Sequence, residues 1–198
     1  MLYLISFLIG FFVGAIPFGF IVARFKCIDI RKRGSGNIGF SNVFRIVGKP
    51  EGIVVLILDA MKGFLPTLLL IHYFGFYYGM VAGLSAMLGH IFTPFLRFKG
   101  GKGVATGLGV FIALAPFSAL FSFVVWLFVV LISRYISLGS LSAAVILPIF
   151  IYFSKFLVKD EYNIVLEILT VLVCLLIIFM HRTNIKRLLT GKERRFTF

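Results

Sequence analysis

Three short polar segments interrupt an otherwise apolar chain, and each combines glycine with hydroxyl, amide and cationic side chains. The first reads Gly34-Ser35-Gly36-Asn37-Ile38-Gly39-Phe40-Ser41-Asn42-Val43-Phe44-Arg45. It holds the spacing Gly34-x-Gly36-x-x-Gly39, but a dinucleotide fingerprint needs a preceding strand within a βαβ unit. Here a basic stretch precedes it and apolar runs flank it. What remains is local physics. Small residues let the main chain approach an anion, and successive N–H groups form a nest. Ser35, Asn37 and Asn42 add donors, and Arg45 adds a fork that fits phosphate. The second segment, Phe98-Lys99-Gly100-Gly101-Lys102-Gly103-Val104-Ala105-Thr106-Gly107, fails the Walker A pattern because Gly103 follows Lys102 where Ser or Thr is needed. Its glycines and lysines still sit where a helix should begin, and a helix N-terminus binds anions through free N–H groups and its dipole. The plain alternatives are a flexible basic loop for the first segment and a tight turn for the second.

The third segment, His181-Arg182-Thr183-Asn184-Ile185-Lys186-Arg187, continues to Gly191-Lys192-Glu193. His181 and Asn184, three apart, share a face of a continuing helix, and Gly191 reads as its stop. A histidine there serves as base or hydrogen-bond donor, or packs at an interface with no partner. Asp59 and Lys62 lie one helical turn apart inside an apolar run. Charges within a membrane are costly and point to function; a mutual ion pair that orients the helix without touching substrate is the preferred reading. His90 is as suited to local packing as to substrate, and His72 is assigned no role. Cys27 and Cys174 lack CxxC spacing, so neither a disulfide framework nor a metal site is expected.

These groups need a frame, and the composition names its solvent. Of 198 residues, 61% are hydrophobic, against roughly 45–50% in soluble domains, and mean hydropathy is +1.09. Apolar runs fall at about 2–23, 52–73, 77–96, 104–133, 138–154 and 163–180. A spanning helix needs about 20 residues, so 104–133 is too long for one and Pro116 is expected to split it into 104–116 and 117–133. The result is an all-α integral membrane protein of seven transmembrane helices, read as one domain over 1–198. Pro17, Pro66, Pro94, Pro116 and Pro148 are expected to kink spans or end them. Net charge is +13. With the N-terminus outside and the C-terminus in the cytoplasm, segments 24–50, 97–103, residue 134 and 181–198 lie inside. Of the 20 Lys and Arg, Lys62 is then intramembrane and Lys155 and Lys159 lie outside, on a polar loop at 155–162 with Asp160 and Glu161, as the positive-inside rule asks. No basic leader region or A-x-A site opens the chain, so no cleaved signal peptide is expected.

Taken together, the segments resemble one family, the bacterial acyl-phosphate-dependent glycerol-3-phosphate acyltransferases (PlsY type). The resemblance rests on Ala15-Ile16-Pro17-Phe18-Gly19, the 34–39 glycine segment, Leu58-Asp59 with Lys62-Gly63, Gly89-His90, the run from Phe98 to Thr106, His181-Arg182-x-Asn184-Ile185 and Gly191-x-Glu193. Phe40-Ser41 stands where the family usually has Ala-Thr; the serine keeps the hydroxyl. The resemblance implies transfer of a fatty acyl group from acyl-phosphate to the 1-hydroxyl of glycerol-3-phosphate, forming lysophosphatidic acid and inorganic phosphate, the first acylation of phospholipid synthesis. It implies seven spans, a bacterial cytoplasmic membrane with membrane lipid as partner, an active site at the cytoplasmic face, no metal, no cofactor and no nucleic acid. Ser35, Arg45, His181 and Asn184 are then catalytic. Gly34, Gly36, Asn37, Asn42, Lys99, Gly100, Gly101, Lys102, Gly103 and Thr106 bind substrate, and Asp59, Lys62 and Glu193 are structural. Lys102 would be the cation of a glycerol-3-phosphate site. The general base is open between His181 and a substrate phosphate oxygen; with no carboxylate in sequence to hold its tautomer, His181 is read mainly as an orienting group. Ser35 as a covalent acyl carrier is a second possibility. The rival from another class is a transporter for an organic phosphate, which kinked helices and an intramembrane Asp–Lys pair would suit.

Overall fold

A computed structural model describes residues 1–157 and 164–196, apart from the side chains of 155–157, and all regular structure among them is helical. The expected polar loop with Lys159, Asp160 and Glu161 lies outside the described residues, as does the side chain of Lys155, whose backbone continues a helix. The chain divides into two compact units, Met1–Leu114 and Ala115–Phe198.

The first unit holds α1 (Leu2–Ala15), α2 (Phe18–Phe25), a 3₁₀ turn at Ile30–Lys32, α3 (Phe40–Ile46), α4 (Lys49–Phe74), α5 (Phe76–Ile91), a 3₁₀ turn at Pro94–Leu96 and α6 (Val104–Leu114). The expected continuous run 2–23 is broken at Ile16 and Pro17, because proline supplies no N–H to the preceding turn. The carbonyls exposed by the break are taken up by side chains distant in sequence. Thr93 Oγ1 donates to Ala15 O at 2.6 Å, and Lys62 Nζ donates to Ile16 O at 2.8 Å. Small residues bring α1 and α5 together: a Cβ on Gly14 would run into the Ala86 main chain, and one on Gly89 into Phe11 O. Close backbone approach of this kind replaces the hydrophobic drive that lipid removes.

The second unit holds α7 (Pro116–Ser133), α8 (Ile136–Leu157), α9 (Ile164–Met180) and α10 (Arg182–Leu189). The expected split of 104–133 is present: α6 ends at Leu114, and Pro116 starts α7 in its first turn, where the missing N–H costs nothing. Arg134 closes α7 in the left-handed conformation at φ 63°.

Among the described residues, five helical stretches are long and apolar enough to cross a membrane: Leu2–Phe25, Lys49–Phe74, Phe76–Leu96, Pro116–Ser133 and Ile136–Ser154. Ile164–Met180 with Arg182–Leu189, bent by 59°, makes a sixth if the pair is one span. Helix α6, at 11 residues, is about 16 Å long, half of a hydrocarbon core of about 30 Å. Large apolar side chains such as Phe12, Leu69, Phe128 and Ile132 point outward, which suits lipid and not water.

Candidate functional site

One side chain ties the 34–39 loop to the turn before it. Asn42, in the first turn of α3, is 2% exposed. Its Oδ1 accepts from Ser35 N at 2.9 Å. Its Nδ2 donates to Asn37 O at 2.8 Å, Arg33 O at 3.1 Å and Ile30 O at 3.4 Å. Expected to contact substrate, Asn42 turns its amide inward and spends it on the loop. Asn37 Oδ1 accepts from Gly39 N at 2.8 Å, and Ser35 Oγ accepts from Asn37 N at 3.4 Å. Gly34 and Gly36, at φ 61° and 75°, occupy the left-handed region that favours glycine. Ser35 is exposed at the loop's tip. Arg45, half-buried on α3, reaches Ser41 Oγ with Nη2 at 3.3 Å. The bulk of Phe40 is absorbed by an edge-on contact with Phe44.

The second glycine segment folds back over the end of α5. Gly100 N donates to Ile91 O at 3.0 Å and Gly101 N to His90 O at 3.1 Å. Lys99 is exposed, Lys102 half-buried, and Gly101 and Gly103 buried. Two consecutive residues before it, Arg97 and Phe98, adopt left-handed φ values of 54° and 59°, a conformation that costs non-glycine residues roughly 1–2 kcal/mol each. Gly107 N donates to Gly103 O at 2.7 Å, so α6 starts directly after the glycines and its first N–H groups face the loop. Thr106, expected to bind substrate, is instead fully buried against α4: a Cβ on Gly63 would meet its carbonyl and Cγ2. Thr106 lies in the first turn of α6 on its buried side.

Beneath this loop lies the charged pair. Lys62 Nζ sits 2.8 Å from Asp59 Oδ1, with both side chains almost fully buried. Lys62 also caps Ile16 O and lies 5.6 Å from the Phe18 ring. His90 Nδ1 faces Asp59 Oδ1 at 3.7 Å, too long for a hydrogen bond. Among the described residues, His90 Nδ1 and Thr106 Oγ1 are buried with no hydrogen-bond partner, while Asp59 Oδ1 is held by the Lys62 ammonium.

In the second unit, His181 occupies the bend between α9 and α10 and is 3% exposed. Its Nδ1 meets Ile177 O at 2.8 Å. A carbonyl there requires the hydrogen on Nδ1 and leaves the neutral ring's lone pair on Nε2. The holder of the tautomer is main chain and not a carboxylate, which residue types alone do not reveal. Asn184 Nδ2 donates to Glu193 Oε1 at 2.6 Å, Arg187 Nε to Glu193 Oε2 at 2.6 Å, and Ser137 Oγ to Glu193 Oε1 at 2.7 Å. The tail beyond it is tied down as Phe196 N donates to Arg134 O at 2.6 Å. Thr93 and Ser137 were not singled out in the sequence; single hydroxyls carry no periodic signal.

Burial pushes the Glu193 carboxyl up, but the hydrogen bonds from Arg187, Asn184 and Ser137, with the Arg187 charge, outweigh it and hold it below the usual carboxylate value. A carboxyl with a depressed folded-state pKa contributes stability above its unfolded pKa, and that stability is lost as pH falls through the folded value. Acidification below the ordinary carboxylate range should therefore release the 192–196 tail, seen as faster hydrogen exchange or proteolysis there. Glu193→Gln should release it at neutral pH and remove the dependence; an unchanged acid transition in that variant would assign it to another group.

The family model described as glycerol-3-phosphate acyltransferase matches residues 4–191. The chain is 43% identical over 189 residues to the glycerol-3-phosphate acyltransferase of Aquifex aeolicus (strain VF5), covering 94% of this chain and 95% of that one. It is 45% identical over 189 residues to that of Trichlorobacter lovleyi, covering 94% of each. A crystal structure of PlsY (YgiH), an integral membrane glycerol 3-phosphate acyltransferase, in its glycerol 3-phosphate form superposes with a TM-score of 0.92 at 42% identity, over 98% of this chain and 96% of that one. Its lysophosphatidic acid form gives 0.89 at 41%, over 98% and 95%. With both glycine loops, the Asp59–Lys62 pair and the Glu193 clamp inside the matched span or within two residues of its end, the chain belongs to the glycerol-3-phosphate acyltransferase family.

Proposed function

We propose that this chain transfers a fatty acyl group from acyl-phosphate to the 1-hydroxyl of glycerol-3-phosphate, giving lysophosphatidic acid and inorganic phosphate. The observation that carries the reading is the pair of glycine loops in one unit, each with its cation, Arg45 by the 34–39 loop and Lys102 within the other, in a chain of this family. The hydroxyl oxygen attacks the acyl carbon, the C–O bond to phosphate breaks, and the hydroxyl proton leaves to a base. Phosphate is already a good leaving group, so positioning and charge neutralisation supply most of the catalysis.

In this reading Gly34, Gly36 and Asn37 cradle the acyl-phosphate headgroup, with Ser35 and Arg45 at the reacting end. Lys99, Gly100, Gly101, Lys102 and Gly103 hold the phosphate of glycerol-3-phosphate. Asn42 organises the first loop, and Asp59, Lys62 and Glu193 are structural. His181 and Asn184 are assigned to catalysis, His181 through Nε2. The whole of 1–198 is read as one transmembrane acyltransferase domain of a bacterial cytoplasmic membrane. It has seven apolar crossings, α6 being the short one, the N-terminus outside, and both basic glycine loops at the cytoplasmic face. The support is the charge distribution, since the described Lys and Arg other than Lys62 and Lys155 fall in the segments this topology puts inside.

The experiment is phosphate release by purified protein given palmitoyl-phosphate and glycerol-3-phosphate. Stoichiometric phosphate and lysophosphatidic acid are expected; a transporter would release neither. His181→Ala decides the base within the same assay. A base acts only when unprotonated, so its limb lies on the acid side of the pH–rate profile. If His181 is the base the variant loses that limb; if a substrate phosphate oxygen is the base, the limb survives at a lower rate.

A further inference from the structure

The glycines of the second loop are glycine for different reasons. Gly103 sits at φ 82°. A Cβ on Gly100 would meet main-chain oxygens of His90 and Ile91. Gly101 differs: its φ is outside the left-handed region, and the three atoms a Cβ would meet first are Nε2, Cε1 and Cδ2 of one imidazole, His90. The opposite edge of that ring faces Asp59 Oδ1 through Nδ1; both atoms are buried, and Nδ1 has no hydrogen-bond partner among the described residues. Asp59 is in turn held by Lys62, which is tied to the α1–α2 break. A series of contacts thus runs from that break through Lys62, Asp59 and His90 to the underside of the loop.

We propose that His90 is a positioning residue for the glycerol-3-phosphate site, its ring the floor on which the 100–103 loop is set, and that residue 101 is glycine to admit this ring and not to admit substrate. The proposal rests on the reading of that loop as the glycerol-3-phosphate site. A carboxylate beside Nδ1 favours the hydrogen there, which orients the ring plane and fixes how far it stands from the loop. The loop backbone is pinned to the same turn by the Gly100 and Gly101 N–H bonds, so a ring that shifts or a Cβ that collides moves the N–H groups at the start of α6 relative to bound phosphate. Displacements of this order in a binding loop change affinity strongly.

The test is a double-substitution cycle: wild type, Gly101→Ala, His90→Ser and both together, each purified in detergent, with kcat and both KM values measured for palmitoyl-phosphate and glycerol-3-phosphate. Gly101→Ala is expected to raise the glycerol-3-phosphate KM by about tenfold, with the palmitoyl-phosphate KM unchanged. In the His90→Ser background the same change is expected to cost less than about twofold, a coupling within the range for contacting residues. His90→Asn keeps a polar atom toward Asp59 while withdrawing the ring edge from Gly101. It should absorb Gly101→Ala equally well and retain a lower glycerol-3-phosphate KM than His90→Ser; it also carries the comparison if the serine variant does not purify. Equal penalties for Gly101→Ala in all backgrounds would overturn the proposal, as would a rise in both KM values together. Wild-type protein that releases no phosphate would overturn the functional reading instead, and the thermal midpoints of the same proteins would still decide the ring–glycine contact.

Discussion

Asn42→Ala is expected to lower phosphate release from palmitoyl-phosphate and glycerol-3-phosphate by about 100-fold or more while leaving helix content unchanged. The reason is concentration of function in one amide. Asn42 holds Ser35 N, Asn37 O, Arg33 O and Ile30 O, and so ties the glycine loop to the turn that precedes it. Each hydrogen bond is worth about 0.5–1.5 kcal/mol net, and a buried group left unpaired costs about 1–3 kcal/mol. Even if the fold survives that loss, the loop relaxes, and a shift of about 1 Å at a reacting group costs on the order of 100-fold in rate. Asn42→Asp sharpens the test. It keeps an oxygen for Ser35 N but replaces the donor with a second oxygen facing three carbonyls, so it should be at least as damaging as alanine. Near-wild-type turnover in Asn42→Asp would show that the amide donor does not hold the loop. Loss of helix content in both variants would show that Asn42 supports the unit as a whole.

The second large effect is on stability. Lys62→Met is expected to destabilise the detergent-solubilised protein by about 3–5 kcal/mol, the cost of leaving one member of a buried ion pair alone. At roughly 2–4 °C per kcal/mol for a chain of this length, the thermal midpoint should fall by roughly 10 °C. Two groups lose their partner at once: the Asp59 carboxylate and the Ile16 carbonyl at the α1–α2 break. Adding Asp59→Asn removes the orphaned charge and should restore more than half of the loss. The remainder belongs to Ile16, which no change at residue 59 can satisfy. A double variant as unstable as Lys62→Met would mean that the pair contributes little and that the carbonyl cap dominates. Lys62→Arg is not a conservative control, because a guanidinium is larger and planar and the site is closed by Phe18 and Asp59.

Several elements were legible before any coordinates. Breaks at Gly75, between Leu114 and Pro116, and at Arg134 fall where residue type alone marks them, since proline and glycine act on their own turn of backbone. The glycine loops were equally legible, because left-handed φ at Gly34, Gly36 and Gly103 is a local demand. The Asp59–Lys62 pair follows from helical spacing. At Pro17 a kink was expected, and the structure makes it a full break between α1 and α2; the residues around it are apolar enough to read as one run.

What residue type could not show is where polar atoms point. Asn42, Thr106 and His90 look alike in a sequence: polar groups beside glycine, suited to phosphate. In the fold Asn42 faces the loop's own backbone, Thr106 faces α4, and His90 lies between Asp59 and Gly101. Two of the contacts that settle such questions join residues 46 and 78 positions apart, Lys62 to Ile16 and Thr93 to Ala15. The sequence by itself determined the apolar helices, the clusters of positive charge between them and the two cation-bearing glycine loops, because periodicity, charge and glycine act within a few residues. Only the tertiary structure decided which polar side chains are turned inward to set those loops and which remain to meet a substrate, because a buried hydrogen-bonding group takes whatever partner packing brings to it.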